Sequence, residues 1–144
     1  MLTETKDDSK IALATLKGRD LGFWAGRWRS LNAAINGICY TLRTQPNAKI
    51  ELAMAAIVIL GGGWFHISAI EWALLIFTSC VVLALESFNT AIEEMIDFVS
   101  PRYHRQAKMV KDTAAGALLV AVLGSLGVAW VIFAPHIRQL FPAA

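Results

Sequence analysis

Glu86, Asn89, Glu93 and Asp97 recur at steps of three or four residues inside a largely apolar run. On a helix turning about 100 degrees per residue they fall within an arc of about 80 degrees, one polar stripe of three carboxyls and an amide. Glu94 lies to one side. Oxygen donors without Cys or His suit a hard divalent cation such as Mg²⁺ better than zinc, and magnesium commonly binds through one or two carboxylates plus substrate phosphates. Lys111-Asp112 follows eighteen residues after Glu93. In a helical hairpin this lysine is placed to meet the acidic stripe or a phosphate. Its other reading is a membrane-edge anchor.

These residues need a frame, and composition says what kind. At 56% hydrophobic and 17% charged, the 144-residue chain is too apolar for an ordinary soluble fold and too short for more than one domain. Lys and Arg gather in the first 49 residues and between Arg102 and Lys111, so a net charge of +2 hides a segregated pattern that reads as membrane topology. The first ten residues are polar and the first long apolar segment starts at Leu52, so no cleavable signal is expected. Residues 1–22 are expected to be a flexible cytoplasmic arm, and 23–144 a single membrane domain. Cys39 and Cys80 point to neither a disulfide frame nor a metal site, and read as small apolar filler.

From Trp24 onward, Trp24, Trp28, Leu31, Ile35, Ile38 and Leu42 mark an amphipathic helix over 24–44, with Arg27, Arg29, Asn32, Asn36 and Arg43 off the stripe. It suits a bilayer surface, though packing on a partner helix gives the same pattern. Pro46 predicts a break near 44–47. Spans follow at about 50–70, 71–99 and 109–135. No Gly-Lys-Ser/Thr follows Gly61, Gly62 and Gly63, so they read as a tight turn or a close helix contact rather than a phosphate loop. Trp64 and Trp72 bracket that region as interface anchors. The second span runs past the roughly 30 Å hydrocarbon core, placing Glu86 and Asn89 near its edge and Glu93 and Asp97 at headgroup depth. A carboxylate as deep as Glu86 needs a partner or a task. The basic loop from Arg102 to Lys111 marks the cytoplasmic side. Pro135 closes the third span, in which Ala117, Ala121, Ser125 and Ala129 repeat beside Gly116 and Gly124. That small-residue pattern serves close packing within one chain or between chains.

The run from Glu86-Ser87-Phe88-Asn89 through Glu93, followed by Asp97, Tyr103-His104 and Lys111-Asp112 leading into Ala114-Ala115-Gly116-Ala117, resembles the small bacterial membrane diacylglycerol kinases and undecaprenol kinases. Ser30-Leu31, Gly37-Ile38 and Thr44-Gln45-Pro46-Asn47 extend the resemblance upstream, to about Arg27 through Pro135 in all. It implies an all-α membrane protein, an amphipathic surface helix plus three transmembrane helices, assembled as a homotrimeric bundle with shared active sites. The implied activity is ATP-dependent phosphorylation of a lipid hydroxyl at the cytoplasmic face of a bacterial inner membrane, with Mg²⁺ as cofactor and no nucleic-acid partner. By this resemblance Glu86 is the base for the lipid hydroxyl, Asn89 a polar positioning group and Glu93 a metal ligand. Lys111, Asp112, Tyr103, His104 and Asp97 belong to the nucleotide end. Val99-Ser100-Pro101 and Ala114-Ala115-Gly116-Ala117 resemble the undecaprenol-type members more.

This chain departs from the pattern at Gln45, where the family usually has a glutamate expected to share the metal with the counterpart of Glu93. Gln offers a carbonyl oxygen without the charge. Glu51, a nearby acid, stands either as compensation or as an interface residue. Arg102 also replaces what is often an acidic loop residue. Two other classes fit the residues alone, a small ion- or proton-coupled transport subunit and a catalytically weakened membrane assembly subunit. The first requires polar groups deep in several spans, and only the second span shows them.

Overall fold

The structure, a computed structural model, describes residues 22–140. The arm expected over 1–22 therefore lies outside the described residues except for Gly22. Four helices follow in order: α1 (Phe23–Thr44), α2 (Pro46–Phe65), α3 (Ala69–Val99) and α4 (Arg105–Leu140). No strand occurs among the described residues. The chain divides into two compact units, one through Cys39 and one from Tyr40 onward.

The first unit holds most of α1. Its apolar stripe is open, with Trp24, Trp28, Leu31, Ile35 and Ile38 all exposed. At the N-terminal end Phe23 and Trp24 meet edge to face at 5.3 Å, and the Arg27 guanidinium sits 5.2 Å from the Phe23 ring centroid.

The second unit begins with the last turn of α1 and carries three helices long and apolar enough to cross a membrane. The break before α2 is one residue wide. Gln45 is extended (φ −96°, ψ 117°) and Pro46 opens α2. Pro46 disfavours a helical Gln45, while its own fixed φ suits the first helical position.

The first span was expected to reach about residue 70, but α2 ends at Phe65. His66 adopts the left-handed conformation (φ 51°, ψ 47°), and its N–H donates to the Gly62 carbonyl. Gly61, Gly62 and Gly63 lie inside the helix, and of the two readings only a close contact is seen. A Cβ at Gly62 would fall 2.9 Å from Ile67 Cδ1 and 3.0 Å from the Trp72 ring. Trp72 is thus half-buried against α2, whereas Trp64 is 76% exposed.

Ser68 caps α3 through a reciprocal capping box. Its N–H donates to Glu71 Oε2 at 2.7 Å, and the Glu71 N–H donates to its hydroxyl. α3 then runs 31 residues to Val99, where Ser100 and Pro101 end it. α4 starts at Arg105, inside the expected basic loop, and passes through Pro135, where the sequence predicts its close. The lost backbone bond falls near the helix end, where His136 Nδ1 lies 2.9 Å from the Ile132 carbonyl.

α3 packs chiefly on α4 and secondly on α2. The buried cluster of Ile67, Leu75 and Ile132, with Val58, Phe65, Trp72, Val128 and Phe133 around it, lies at the end remote from Glu86. Most large apolar side chains face outward, as for helices solvated by lipid. Thr78, Ser87 and Thr90 return their hydroxyls to carbonyls four residues back, which pairs these three O–H groups in that medium. On α4, Gly116 and Gly124 face open space, with no atom near where a Cβ would stand. Cys39 and Cys80 are free thiols.

Candidate functional site

α3 gathers the polar stripe because its helical period superposes residues three and four apart. Glu86 is only 1% exposed, Asn89 7% and Thr90 2%, and their burial rests on packing within the bundle. Asn89 Nδ2 donates to Glu93 Oε1 at 3.1 Å, so the amide and the acid act as one unit. Both Glu86 carboxylate oxygens and Asn89 Oδ1 are buried without a hydrogen-bond partner among the described residues. Leaving a buried carboxylate unpaired costs several kcal/mol, on the order of what a whole domain has to spare. Stability does not account for Glu86.

Glu51, half-buried near the start of α2, has one oxygen in the same unpartnered condition. Its charge and that of Glu86 bear on each other, as do those of Glu93 and Glu86. Three carboxylates from two helices thus share one electrostatic neighbourhood. Among the described residues, however, no three His, Cys, Asp or Glu side chains converge as a ready-made metal site. The donor chemistry still fits a hard cation, because Glu93 and the unpartnered Asn89 oxygen supply oxygens only and substrate phosphates can complete the shell. Gln45 is half-buried and its side chain makes no capping bond.

At the other end of the stripe, Asp97 accepts from Lys111 Nζ at 2.6 Å across the α3–α4 hairpin. Asp112 pairs with Lys108 one turn earlier on α4. A cavity of about 370 Å³ brings together Asp97, Tyr103, His104, Lys108, Lys111 and Asp112, with Arg102 in its wall. Tyr103 is 84% exposed, its ring free to stack on a planar ligand. His104 Nδ1 accepts from the Gln106 N–H, which fixes the imidazole as the first-turn cap of α4.

A second cavity, about 290 Å³, lies between α2, α3 and α4. Its wall is almost wholly aliphatic, from Met54 and Val58 to Val82, Leu126 and Ala129, with Glu51 on its rim and Leu83 one turn before Glu86. No sequence signal marked it, since its lining comes from three apolar segments without a motif. One further contact was also missed: Tyr40 Oη donates to Glu94 Oε1 at 2.6 Å. That carboxylate holds the Tyr40 phenol above its ordinary value of 10.0, chiefly through the hydrogen bond. Tyr40 falls off the apolar stripe of α1, and nothing in the sequence pairs it with a residue 54 positions away.

Membrane-length helices, a buried carboxylate without a structural partner and a basic cavity at the helix ends define a membrane protein with an acid site embedded in its bundle. The chain belongs to the prokaryotic diacylglycerol kinase family, whose pattern matches residues 32–133. It is 38% identical over 112 residues to a diacylglycerol kinase of Synechocystis, covering 77% of this chain and 64% of that protein, so it spans just under two thirds of that relative. It is 34% identical to the undecaprenol kinase of Bacillus subtilis, over 76% of this chain and 89% of that one. With the diacylglycerol kinase of Escherichia coli K12 the identity is 29%, over 73% and 80% of the two chains.

Proposed function

We propose that this protein is an ATP-dependent lipid kinase that phosphorylates a membrane lipid hydroxyl, of the diacylglycerol or undecaprenol type, at the cytoplasmic membrane face. The observation that carries the reading is the buried Glu86 carboxylate, whose two oxygens have no hydrogen-bond partner among the described residues. A substrate hydroxyl entering the site supplies the missing donor.

Glu86 takes the proton as the lipid oxygen forms its bond to the γ-phosphorus. The bond from that phosphorus to the bridging oxygen breaks, and ADP leaves with the electron pair. General-base help of this kind contributes about 10²- to 10⁴-fold. The remainder is positioning and charge neutralisation, so no nucleophilic Ser or Cys is required. Asn89 holds Glu93, and Glu93 with the Asn89 oxygen would bind Mg²⁺, whose chemistry is to neutralise charge on the phosphates. Gln45 is a weaker candidate for the same ion. Lys111, Asp112, Asp97, Tyr103 and His104 hold the nucleotide in the basic cavity, where Lys111 can exchange Asp97 for a phosphate. The aliphatic cavity suits an acyl or prenyl chain, with Glu51 near the headgroup. The open Gly116 and Gly124 face supports packing between copies, as in a homotrimer with shared sites. The basic segment 102–111 supports placing this end, and with it the N-terminus, on the cytoplasmic side of the inner membrane.

The decisive experiment is transfer of labelled phosphate from ATP by the purified protein in micelles with Mg²⁺, offering diacylglycerol and undecaprenol in parallel. Transfer to either lipid supports the reading and identifies the substrate. Folded protein that labels neither overturns it.

A further inference from the structure

We infer that Tyr40 and Glu94 form a clasp that sets the metal-binding end of the site, with Tyr40 a positioning residue rather than a catalytic one. The inference rests on the kinase reading above. The Tyr40 hydroxyl donates to Glu94 Oε1 at 2.6 Å, joining the last turn of α1 to α3. Glu94 directly follows Glu93, the acid that receives the Asn89 amide. On the other side of the bond, Thr41 is buried and its carbonyl accepts from the Gln45 N–H at 2.9 Å. A single O–H bond therefore connects the backbone support of Gln45 to the neighbour of Glu93.

The place of this bond gives it a purpose. The α1–α2 junction is a single extended residue, Gln45, whose side chain is not used as a helix cap. Nothing in that residue itself fixes how the end of α1 approaches α3. The clasp supplies the constraint. It also restrains Glu94, the acid beside Glu93 that stands off the polar stripe, so that of these two neighbours Glu93 presents its carboxylate at the metal position. A charge-assisted O–H bond is short and directional, which suits it to fixing a register. Its exposure keeps the energetic effect modest, so the clasp tunes the site without holding up the fold.

The test compares wild type with Tyr40→Phe, Glu94→Ala, Glu94→Gln and the Tyr40→Phe/Glu94→Ala double variant, as full-length protein in lipid micelles. Tyr40→Phe and Glu94→Ala are each expected to raise the KM for the magnesium–nucleotide about three- to fivefold, with kcat and the lipid KM changed less than about twofold. Glu94→Gln, whose amide oxygen still accepts, stays near wild type. The double variant is no worse than either single one, because both remove the same bond. Amide exchange across residues 40–45, which needs no activity, is expected to quicken in Tyr40→Phe. Additive losses, a Glu94→Gln variant as weak as Glu94→Ala, or unchanged nucleotide KM and exchange in Tyr40→Phe would each overturn the clasp. Wild-type protein that transfers no phosphate overturns the kinase reading instead, and the exchange measurement still decides the clasp.

Discussion

Lys111 Nζ lies 2.6 Å from Asp97 Oδ1, so the last acid of the α3 stripe and the lysine that opens the membrane portion of α4 are paired across the hairpin. Asp97 is the more exposed partner, at 66% of its side chain against 31% for Lys111. The pair is accessible enough to open. Its worth to the fold is about 1 kcal/mol or less, whereas a lysine–phosphate contact at a shielded site is stronger. Lys111→Ala should therefore raise the KM for ATP about tenfold or more while shifting stability by less than about 1 kcal/mol. Steady-state kinetics beside denaturant unfolding in micelles separates the two effects.

Glu86→Gln is expected to lower kcat by about 10²-fold or more. Its fold should be retained or made slightly more stable, since the substitution removes an unpaired buried charge. Activity and unfolding midpoint measured on one preparation check both halves. Retained wild-type kcat would take the proton-accepting role away from Glu86.

Gln45→Glu adds a negative charge where the proposed site has only an amide oxygen. The Mg²⁺ concentration giving half-maximal rate is expected to fall several-fold, with little change in the lipid KM. A magnesium titration of both proteins decides this, and an unchanged midpoint would place residue 45 outside the metal's reach.

Gly62→Ala is expected to cost about 1–3 kcal/mol, because the new methyl group meets the rigid Trp72 ring as well as Ile67. Gly63→Ala has open space at its Cβ and should be neutral or mildly stabilising. Paired unfolding curves in micelles test the contrast.

Tyr40 should ionise above its ordinary value of 10.0, while Glu94→Ala should bring it down towards that value. A folded-state pKa raised above the unfolded one contributes stability that is complete below the unfolded value. That contribution is lost as pH rises through the folded value, so on the alkaline side the clasp should open only above the ordinary tyrosine value. Ultraviolet titration of phenolate in a Tyr103→Phe background reads Tyr40 alone.

The stripe from Glu86 to Asp97 was legible because helical periodicity is written directly in residue spacing. The break at Pro46 was legible because proline constrains its own neighbour. The span ends were less so. Apolar residues continue across the turn at His66 and Ile67, and hydropathy does not see the left-handed His66. A sharper signal was present, since Ser68 followed three residues later by Glu71 is a capping-box spacing that marks the start of α3. The early start of α4 was hidden because Arg105 and Lys108 read equally well as a basic loop or as a first helical turn. Tyr40–Glu94 and the aliphatic cavity depend on segments far apart in the chain, and no local pattern announces either.

The length of α3 has a further physical meaning. Thirty-one residues make a rod of about 46 Å, against a hydrocarbon slab of about 30 Å. Ser68 and Glu71 cap its far end, and a rod longer than the slab must tilt or stand out of it, so bilayer thickness bears on the depth of Glu86 and Glu93. The lipid around the protein is in this sense a ruler laid against the acids, and chain length in the surrounding membrane sets the depth at which they stand.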